Sequence, residues 1–220
     1  LRIGGSVVAS PLNPALIGEY VNSLKDLKKQ GHEVAVVVGG GTLARDFIRA
    51  AKDLGLDEKA QDETAISVSR IFAQLFLRKL GEFGCRSVAL TIEDTAKCLR
   101  EGKIAVMGGL KPGMTTDTVA ALIVEKANAD LLIKATDQEG IYNKDPKKFE
   151  DAVKLDHVSF DDLSGVFAEE KHKAGIHQII DPEAITILKR KRVRIVVVSG
   201  FKPENVLAVA KGERIGTVID

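Results

Sequence analysis

The fold is decided by the stretch Val34-Ala35-Val36-Val37-Val38-Gly39-Gly40-Gly41-Thr42-Leu43-Ala44-Arg45. Its first five residues are apolar and mostly β-branched, which predicts a strand buried on both faces of a sheet. The three glycines that follow predict a tight turn, and the residues after them begin a helical stretch. A buried strand, a glycine turn and a helix in this order favour a parallel sheet covered by helices.

The same pattern recurs along the chain. Segments 87–91, 104–107, 130–135 and 193–198 predict further strands, and helical stretches separate them. Asn13-Pro14 and Asp181-Pro182 each place an N-cap residue before a proline, which predicts a helix start. We therefore expect an α/β fold, a three-layer αβα sandwich with a mainly parallel central sheet. We expect the 220 residues to form a single domain, residues 1–220.

The composition argues against several classes of function. The 32 basic and 31 acidic residues give a net charge of +1, which is not typical of a dedicated nucleic-acid binder. The apolar runs are about five residues long, whereas a membrane helix needs about 20. No signal-peptide pattern is present at the N-terminus. With Cys85 and Cys98 expected as reduced, inert thiols, we expect a cytoplasmic protein without nucleic-acid or membrane partners.

Four glycine-containing clusters follow predicted strands, so they should meet at one edge of the sheet. Gly4-Gly5-Ser6 offers unobstructed backbone amides that suit phosphate oxygens, and Arg2 stands beside it. Gly39-Gly40-Gly41 precedes a helix whose first turn contains Arg45. A cation there is unfavourable unless an anion compensates it, so Arg45 is either a ligand for an anion or a solvated surface residue.

The other two clusters add polar side chains. Gly108-Gly109 leads to Thr115-Thr116-Asp117, which either only starts a helix or also contacts a polar ligand. The segment 136–146 combines a glycine turn with Tyr142, which either packs on a flat base or joins the core. Lys134, just before it, either stabilises phosphate oxygens or has no role. The sequence lacks the phosphate-loop and dinucleotide-binding motifs.

These clusters, in this order, resemble the amino acid kinase family, and within it the uridylate (UMP) kinases of the archaeal type. The resemblance extends over residues 4–217. It is carried by VVVGGGTLAR (36–45), VMGGLKPGMTTDTVAALIVE (106–125), ATDQEGIYNKDPK (135–147) and KAGIHQIIDPEA (173–184). It implies transfer of the γ-phosphate of ATP to UMP in pyrimidine biosynthesis, with Mg²⁺ accompanying ATP and a homohexameric assembly. It also implies an acceptor-binding part at about 1–130 and an ATP-binding part at about 131–220.

The resemblance also implies roles for individual residues. The candidate catalytic residues are Arg2, Ser6, Arg45 and Lys134. Binding of UMP is implied for Gly39, Gly40, Gly41, Arg45, Asp62, Thr115, Thr116 and Asp117. Binding of ATP is implied for Gly4, Gly5, Ser6, Thr136, Asp137, Gly140, Tyr142, Asp145 and Pro146. No protein metal ligand is implied, because Mg²⁺ in such sites is held largely by phosphates and water.

Three residues depart from the family pattern. Arg2 replaces a lysine of many members, and Phe72 and Ala65 replace an asparagine and a glycine. Two alternatives therefore stay open. One is a sister kinase that acts on isopentenyl phosphate, carbamate or an amino-acid carboxylate. The other is a non-catalytic protein of the same fold that binds a nucleotide or an oxyanion.

Overall fold

Strands and helices alternate along the chain in the computed structural model, which describes residues 1–163 and 180–220. Residues 173–179 of the resemblance segment 173–184 lie outside the described residues. The strands are β1 (Arg2–Ile3), β2 (Ala35–Val38), β3 (Ala105–Met107), β4 (Leu131–Thr136), β5 (Ile141–Tyr142), β6 (Lys154–Leu155), β7 (His157–Val158), β8 (Arg194–Ser199) and β9 (Thr217–Ile219). The helices are α1 (Gly5–Val8), α2 (Pro14–Lys29), α3 (Gly41–Asp53), α4 (Glu58–Leu80), α5 (Ile92–Arg100), α6 (Thr116–Ala127), α7 (Pro182–Lys191) and α8 (Glu204–Ala210).

The central sheet has seven strands in the order β3-β2-β1-β4-β8-β9-β7. All neighbouring pairs are parallel except β8 and β9, which run antiparallel. Strands β5 and β6 form a separate antiparallel pair that flanks the exposed segment 143–153. The expected α/β fold with a mainly parallel sheet is confirmed.

Helices cover both faces of the sheet because successive residues of each strand point to opposite sides. On one face, Ile3, Val36 and Val38 are buried in a core with residues of α2, α4 and α8. On the other face, Val37 and Met107 are buried with residues of α6 and α7. Apolar residues on both faces explain why the strand of the opening stretch has no alternation of polar and apolar side chains.

The predicted helix starts are formed as expected. Asn13 caps α2 by accepting a hydrogen bond from the amide of Leu16 at 3.0 Å. Asp181 caps α7 in the same way, through the amide of Ala184 at 2.9 Å. Within residues 1–163 and 180–220, no helix has the combination of length and apolarity that crossing a membrane requires.

One predicted strand is absent. Segment 87–91 pairs with β3 only at a single bridge, between Ala89 and Met107, so the strand prediction for it is wrong. Its short apolar run lies beside the outer edge of the sheet, where Ser87 and Leu90 are exposed. The strand-like residues therefore correctly predicted that the segment lies beside the sheet, but wrongly predicted that it pairs along its length.

The expectation of two reduced cysteines is wrong in the structure. Cys98, on α5, and Cys85, in the segment beside β3, form a disulfide with their Cα atoms 6.0 Å apart. The packing of α5 against β3 brings the two residues together. Their spacing along the sequence does not predict this contact. The disulfide ties the edge of the sheet to the helix that packs on it.

We expect the variant Cys85→Ala/Cys98→Ala to unfold with a free energy about 2–3 kcal/mol below that of the oxidised protein. The reason is that the bond constrains the unfolded chain between residues 13 apart. Urea unfolding with and without dithiothreitol measures this difference. The double variant should not respond to dithiothreitol. Two free thiols in the folded, air-oxidised protein would contradict the assignment.

Candidate functional site

The carboxyl ends of five parallel strands meet at one edge of the sheet. The residues that follow them directly are Gly4 after β1, Gly39 after β2, Gly108 after β3, Asp137 after β4 and Gly200 after β8. The predicted glycine clusters therefore lie side by side, in the place where open parallel sheets bind ligands. We call this edge the site edge.

The loops after β1 and β2 touch each other through their glycines. A Cβ added to Gly5 would lie 2.0 Å from the backbone nitrogen of Gly41, and one added to Gly39 would lie 2.7 Å from the nitrogen of Gly5. Ser10 bridges them, since its Oγ donates to the carbonyl of Gly5 at 3.2 Å and accepts from the amide of Thr42 at 2.7 Å. The glycines are thus required by the close approach of two backbones. The approach brings the starts of α1 and α3 together, where the first amides have no acceptor within the helix.

Two cations lie side by side beneath these loops. Arg2 in β1 and Lys134 in β4 occupy paired positions on neighbouring strands, so both side chains point to the face that α6 covers. Asp117 at the start of α6 lies between them. Its Oδ1 is 2.8 Å from Nε of Arg2, and its Oδ2 forms an ion pair with Nζ of Lys134. Nη2 of Arg2 also donates to Oγ1 of Thr116 at 3.0 Å.

The electrostatics of this cluster keep Asp117 ionised. Burial by itself raises the pKa of Asp117, but the charges of Arg2 and Lys134 outweigh it and hold the pKa below its usual range. Burial, followed by repulsion from Arg2, lowers the pKa of Lys134 to about 8, although Asp117 and more weakly Asp181 oppose the shift. The side chain of Lys134 is only 5% exposed. Arg2, Lys134 and Asp117 together leave one positive charge in excess below pH 8.

The guanidinium of Arg2 reaches the site edge. A Cβ added to Gly4 would lie 3.1 Å from Nη1 of Arg2 and 3.3 Å from Oγ of Ser6. The structure therefore brings together three of the four candidate catalytic residues: Arg2, Ser6 and Lys134 lie around Gly4 and Asp117. The fourth, Arg45, is exposed on the first turn of α3 and forms no hydrogen bond or ion pair with the described residues.

Three of the residues predicted to bind UMP, Asp62, Thr115 and Asp117, form hydrogen bonds or ion pairs within the protein. Oδ2 of Asp62 accepts from the amide of Gly113 at 2.7 Å. Thr115 caps α6 by accepting from the amides of Asp117 and Thr118, and its hydroxyl donates to Asp181. The hydroxyl of Thr115 and the carboxylate of Asp117 are therefore engaged within the protein. Oδ1 of Asp62 has no hydrogen-bond partner among residues 1–163 and 180–220.

Segment 136–147, predicted to bind ATP, begins at the site edge and continues into the β5–β6 pair. Thr136 donates to Asp137 at 3.2 Å, and Nζ of Lys147 donates to the other oxygen of Asp137 at 2.9 Å. Asp145 forms the expected turn with Pro146 by accepting from the amide of Lys147. Gly140 packs against β9, since its Cβ would lie 2.5 Å from Oγ1 of Thr217, and Tyr142 is half-buried in β5.

Sequence reasoning missed three residues that shape the site edge. Ser69 and Arg70, on α4, bind the backbone of the loop after β3. Asp181 was predicted only to start a helix, yet it also accepts from the hydroxyl of Thr118 at 2.9 Å and so joins α7 to α6. The spacing of 62, 69 and 70 places these α4 residues on one helical face, and that was the available signal. Phe72 is buried in the core, so it does not face the loop.

The chain is similar to known proteins over nearly its whole length. The model of the amino acid kinase family matches residues 1–199. The uridylate kinase of Methanocaldococcus jannaschii is 41% identical over 99% of this chain and 97% of its own. That of Haloarcula marismortui is 38% identical over 100% of this chain and 96% of its own. The crystal structure of uridylate kinase from Archaeoglobus fulgidus superposes with a TM-score of 0.88 at 34% identity, covering 99% of this chain and 97% of that one.

We expect Gly5→Ala to destabilise the protein by about 1–3 kcal/mol, because the added methyl group forces the two glycine loops apart. Gly18→Ala is the matched control. Gly18 lies within α2, and a Cβ there would meet no atom within 4 Å. This control should stabilise the protein by about 0.5–1 kcal/mol. Thermal and urea unfolding measure both changes, and a neutral Gly5→Ala would contradict the close approach.

Proposed function

Because the chain belongs to the amino acid kinase family, we propose that it transfers the γ-phosphate of ATP to UMP and so forms UDP and ADP. The observation that carries the proposal is the contact between the two glycine loops beside Arg2. Two adjacent sets of amides, with a buried excess cation between them, suit two phosphate groups that must meet. The full-length similarity to uridylate kinases supports UMP as the acceptor.

The reaction requires little covalent chemistry from the protein. The phosphate of UMP is already a nucleophile at neutral pH, so no aspartate has to act as a general base. The protein holds the two phosphates in line, neutralises their charge and excludes water. Gly5 and Ser6 would hold the ATP phosphates beside Gly4, whose own amide donates to the carbonyl of Ala135 at 2.8 Å. Arg2 and Lys134 would stabilise the oxygens of the transferred phosphoryl group.

The acceptor, UMP, would bind at the neighbouring glycine loop, the one that follows β2. Gly40 and Gly41 would offer amides at the start of α3 to the UMP phosphate, and Arg45 would add a charge near that start. Gly39 would contribute close backbone approach, since its own amide donates to the carbonyl of Ile3 at 3.0 Å. The unpaired oxygen of Asp62 would bind the ribose of UMP. Thr116 would line the acceptor side through its contact with Arg2. Thr115 and Asp117 act in this proposal by shaping the start of α6 rather than through free polar atoms.

The nucleoside part of ATP would lie along segment 136–146. Thr136 and Asp137 leave β4 at the site edge, and the turn at Asp145 and Pro146 closes the segment. We propose accordingly that residues of about 1–130 bind the acceptor and that residues of about 131–220 bind ATP. Gly4, Gly5 and Ser6 are the exception, since they belong to the first part and would contact the ATP phosphates.

Phosphoryl transfer from ATP generally needs a divalent cation, and we propose Mg²⁺. The described part of the chain contains no group of three or more His, Cys, Asp or Glu side chains that could hold a metal ion. Mg²⁺ keeps several waters and is held mainly through substrate phosphates, so it needs few ligands from the protein. When bound, the ion neutralises phosphate charge.

We also propose that the enzyme is a cytoplasmic homohexamer whose partners are ATP and UMP, without nucleic acid or membrane. Helices α3 and α4 expose Leu43, Phe47, Ile71 and Leu75, and apolar residues at such density favour association between subunits. Disulfides are rare in the cytoplasm but persist there in some intracellular proteins, so the Cys85–Cys98 bond does not by itself contradict this location.

The proposal is tested by a coupled assay of ADP release with UMP, CMP, dUMP and isopentenyl phosphate compared side by side. UMP should give the highest kcat/KM. A higher value with isopentenyl phosphate would assign the chain to a sister activity. Stoichiometric nucleotide binding without ADP release would assign it to a non-catalytic role.

We expect Arg45→Ala to raise the KM for UMP at least tenfold and to change the KM for ATP less than twofold. A charge-assisted hydrogen bond contributes about 1.5–3 kcal/mol, and about 1.4 kcal/mol corresponds to tenfold. Steady-state kinetics measure both constants. Arg49→Ala is the control, since Arg49 lies one turn further along α3, is exposed and pairs with Asp46 at 3.4 Å. Equal effects of Arg45→Ala on both constants would contradict its assignment to UMP.

We expect kcat/KM for ATP to fall as the pH rises through about 8, because Lys134 then loses the proton that makes it a cation. Below this pH the amine of Lys134 stays protonated, so its titration does not change kcat/KM for ATP. In Lys134→Met the alkaline decline should vanish and kcat should be about a hundredfold lower. A pH–rate profile that is the same in both proteins would exclude the amine from the reaction.

A further inference from the structure

One face of α4 holds the loop that connects β3 to α6, residues 108–113, which we call the acceptor loop. Ser69 accepts from the amide of Gly109 at 2.7 Å. Arg70 donates from Nε to the carbonyl of Gly109 at 3.1 Å and from Nη2 to that of Leu110 at 3.0 Å. Asp62, two turns earlier on the helix, accepts from the amide of Gly113. Both ends of the loop are therefore bound by a single helix.

The loop lies directly on this helix. A Cβ added to Gly108 would lie 2.8 Å from the backbone nitrogen of Arg70, and one added to Gly109 would lie 2.9 Å from the side chain of Ile66. Backbone contact of this kind leaves no room for a water layer between loop and helix. Arg70 therefore forms its hydrogen bonds to a loop that already packs directly on the helix.

The choice of arginine has a physical reason. Arg70 is half-buried, and no carboxylate lies within ion-pair distance of it in residues 1–163 and 180–220. Its charge is instead compensated by two backbone carbonyls in succession. A planar guanidinium that donates from two nitrogens fixes both the position and the orientation of those carbonyls, which the single ammonium of a lysine does not.

The acceptor loop connects the carbonyls that Arg70 holds to the residues of the site edge. It leads into Thr115 and Thr116 at the start of α6, and Thr116 accepts a hydrogen bond from Arg2. The same end binds Asp62 through the amide of Gly113, and the other oxygen of Asp62 has no hydrogen-bond partner among the described residues. We propose that Arg70 is a positioning residue for the acceptor: it sets the loop so that Asp62 and Thr116 are placed for UMP. The proposal rests on the proposed function.

The experiment compares Arg70→Gln and Arg70→Lys with the wild type, and uses Arg78→Gln as the control. Arg78 lies two turns further along α4, is exposed and forms no hydrogen bond or ion pair with the described residues. We expect Arg70→Gln to raise the KM for UMP about tenfold, equivalent to about 1.4 kcal/mol, with the KM for ATP and kcat changed less than threefold. Arg70→Lys should give an intermediate KM for UMP, and Arg78→Gln should match the wild type.

Hydrogen exchange of the free protein gives a second readout that needs no substrate. The amides of Gly109 and Gly113 should exchange at least tenfold faster in Arg70→Gln than in Arg78→Gln. Unchanged exchange, or equal rises in both KM values, would overturn the positioning role. A wild type that fails to phosphorylate UMP would overturn the proposed function as well. An active wild type with an unaltered KM for UMP in Arg70→Gln would overturn this inference alone.

Discussion

The carboxylate of Asp117 pairs with two neighbouring cations between the sheet and α6, and the rest of the site depends on this pairing. Parallel pairing of β1 with β4 places Arg2 next to Lys134, and two buried like charges are costly without an anion between them. The start of α6 supplies that anion to both. The position of α6, the direction of Arg2 and the proton affinity of Lys134 are thereby linked.

Around this cluster, contacts of the backbone determine most of the shape of the site. Close contact between Gly5 and residues 39–41 brings two loops together above the cations, and it requires that neither loop has a side chain there. Asp181 ties α7 to α6, while α4 holds the acceptor loop. The result is an edge at which two glycine loops touch each other beside one excess positive charge, an arrangement that suits transfer between two phosphates.

Much of this arrangement could be predicted from local patterns. The buried strands, the caps at Asn13 and Asp181 and the glycine loops follow from periodicity and turn chemistry within a few residues. The Cys85–Cys98 disulfide, the pairing of Asp117 and the role of Arg70 could not, because each depends on strand register or on contacts between distant elements. Segment 87–91 shows the converse error, since strand-like residues beside an edge need not pair along their length.

We propose that one edge of one sheet holds the donor and acceptor phosphates end to end next to Arg2 and Lys134. A crystal structure with UMP and a non-hydrolysable ATP analogue measures this directly. We expect the γ-phosphorus to lie about 3–3.5 Å from an oxygen of the UMP phosphate, next to the guanidinium of Arg2. Phosphates bound at separate places, or on opposite faces of the sheet, would contradict it.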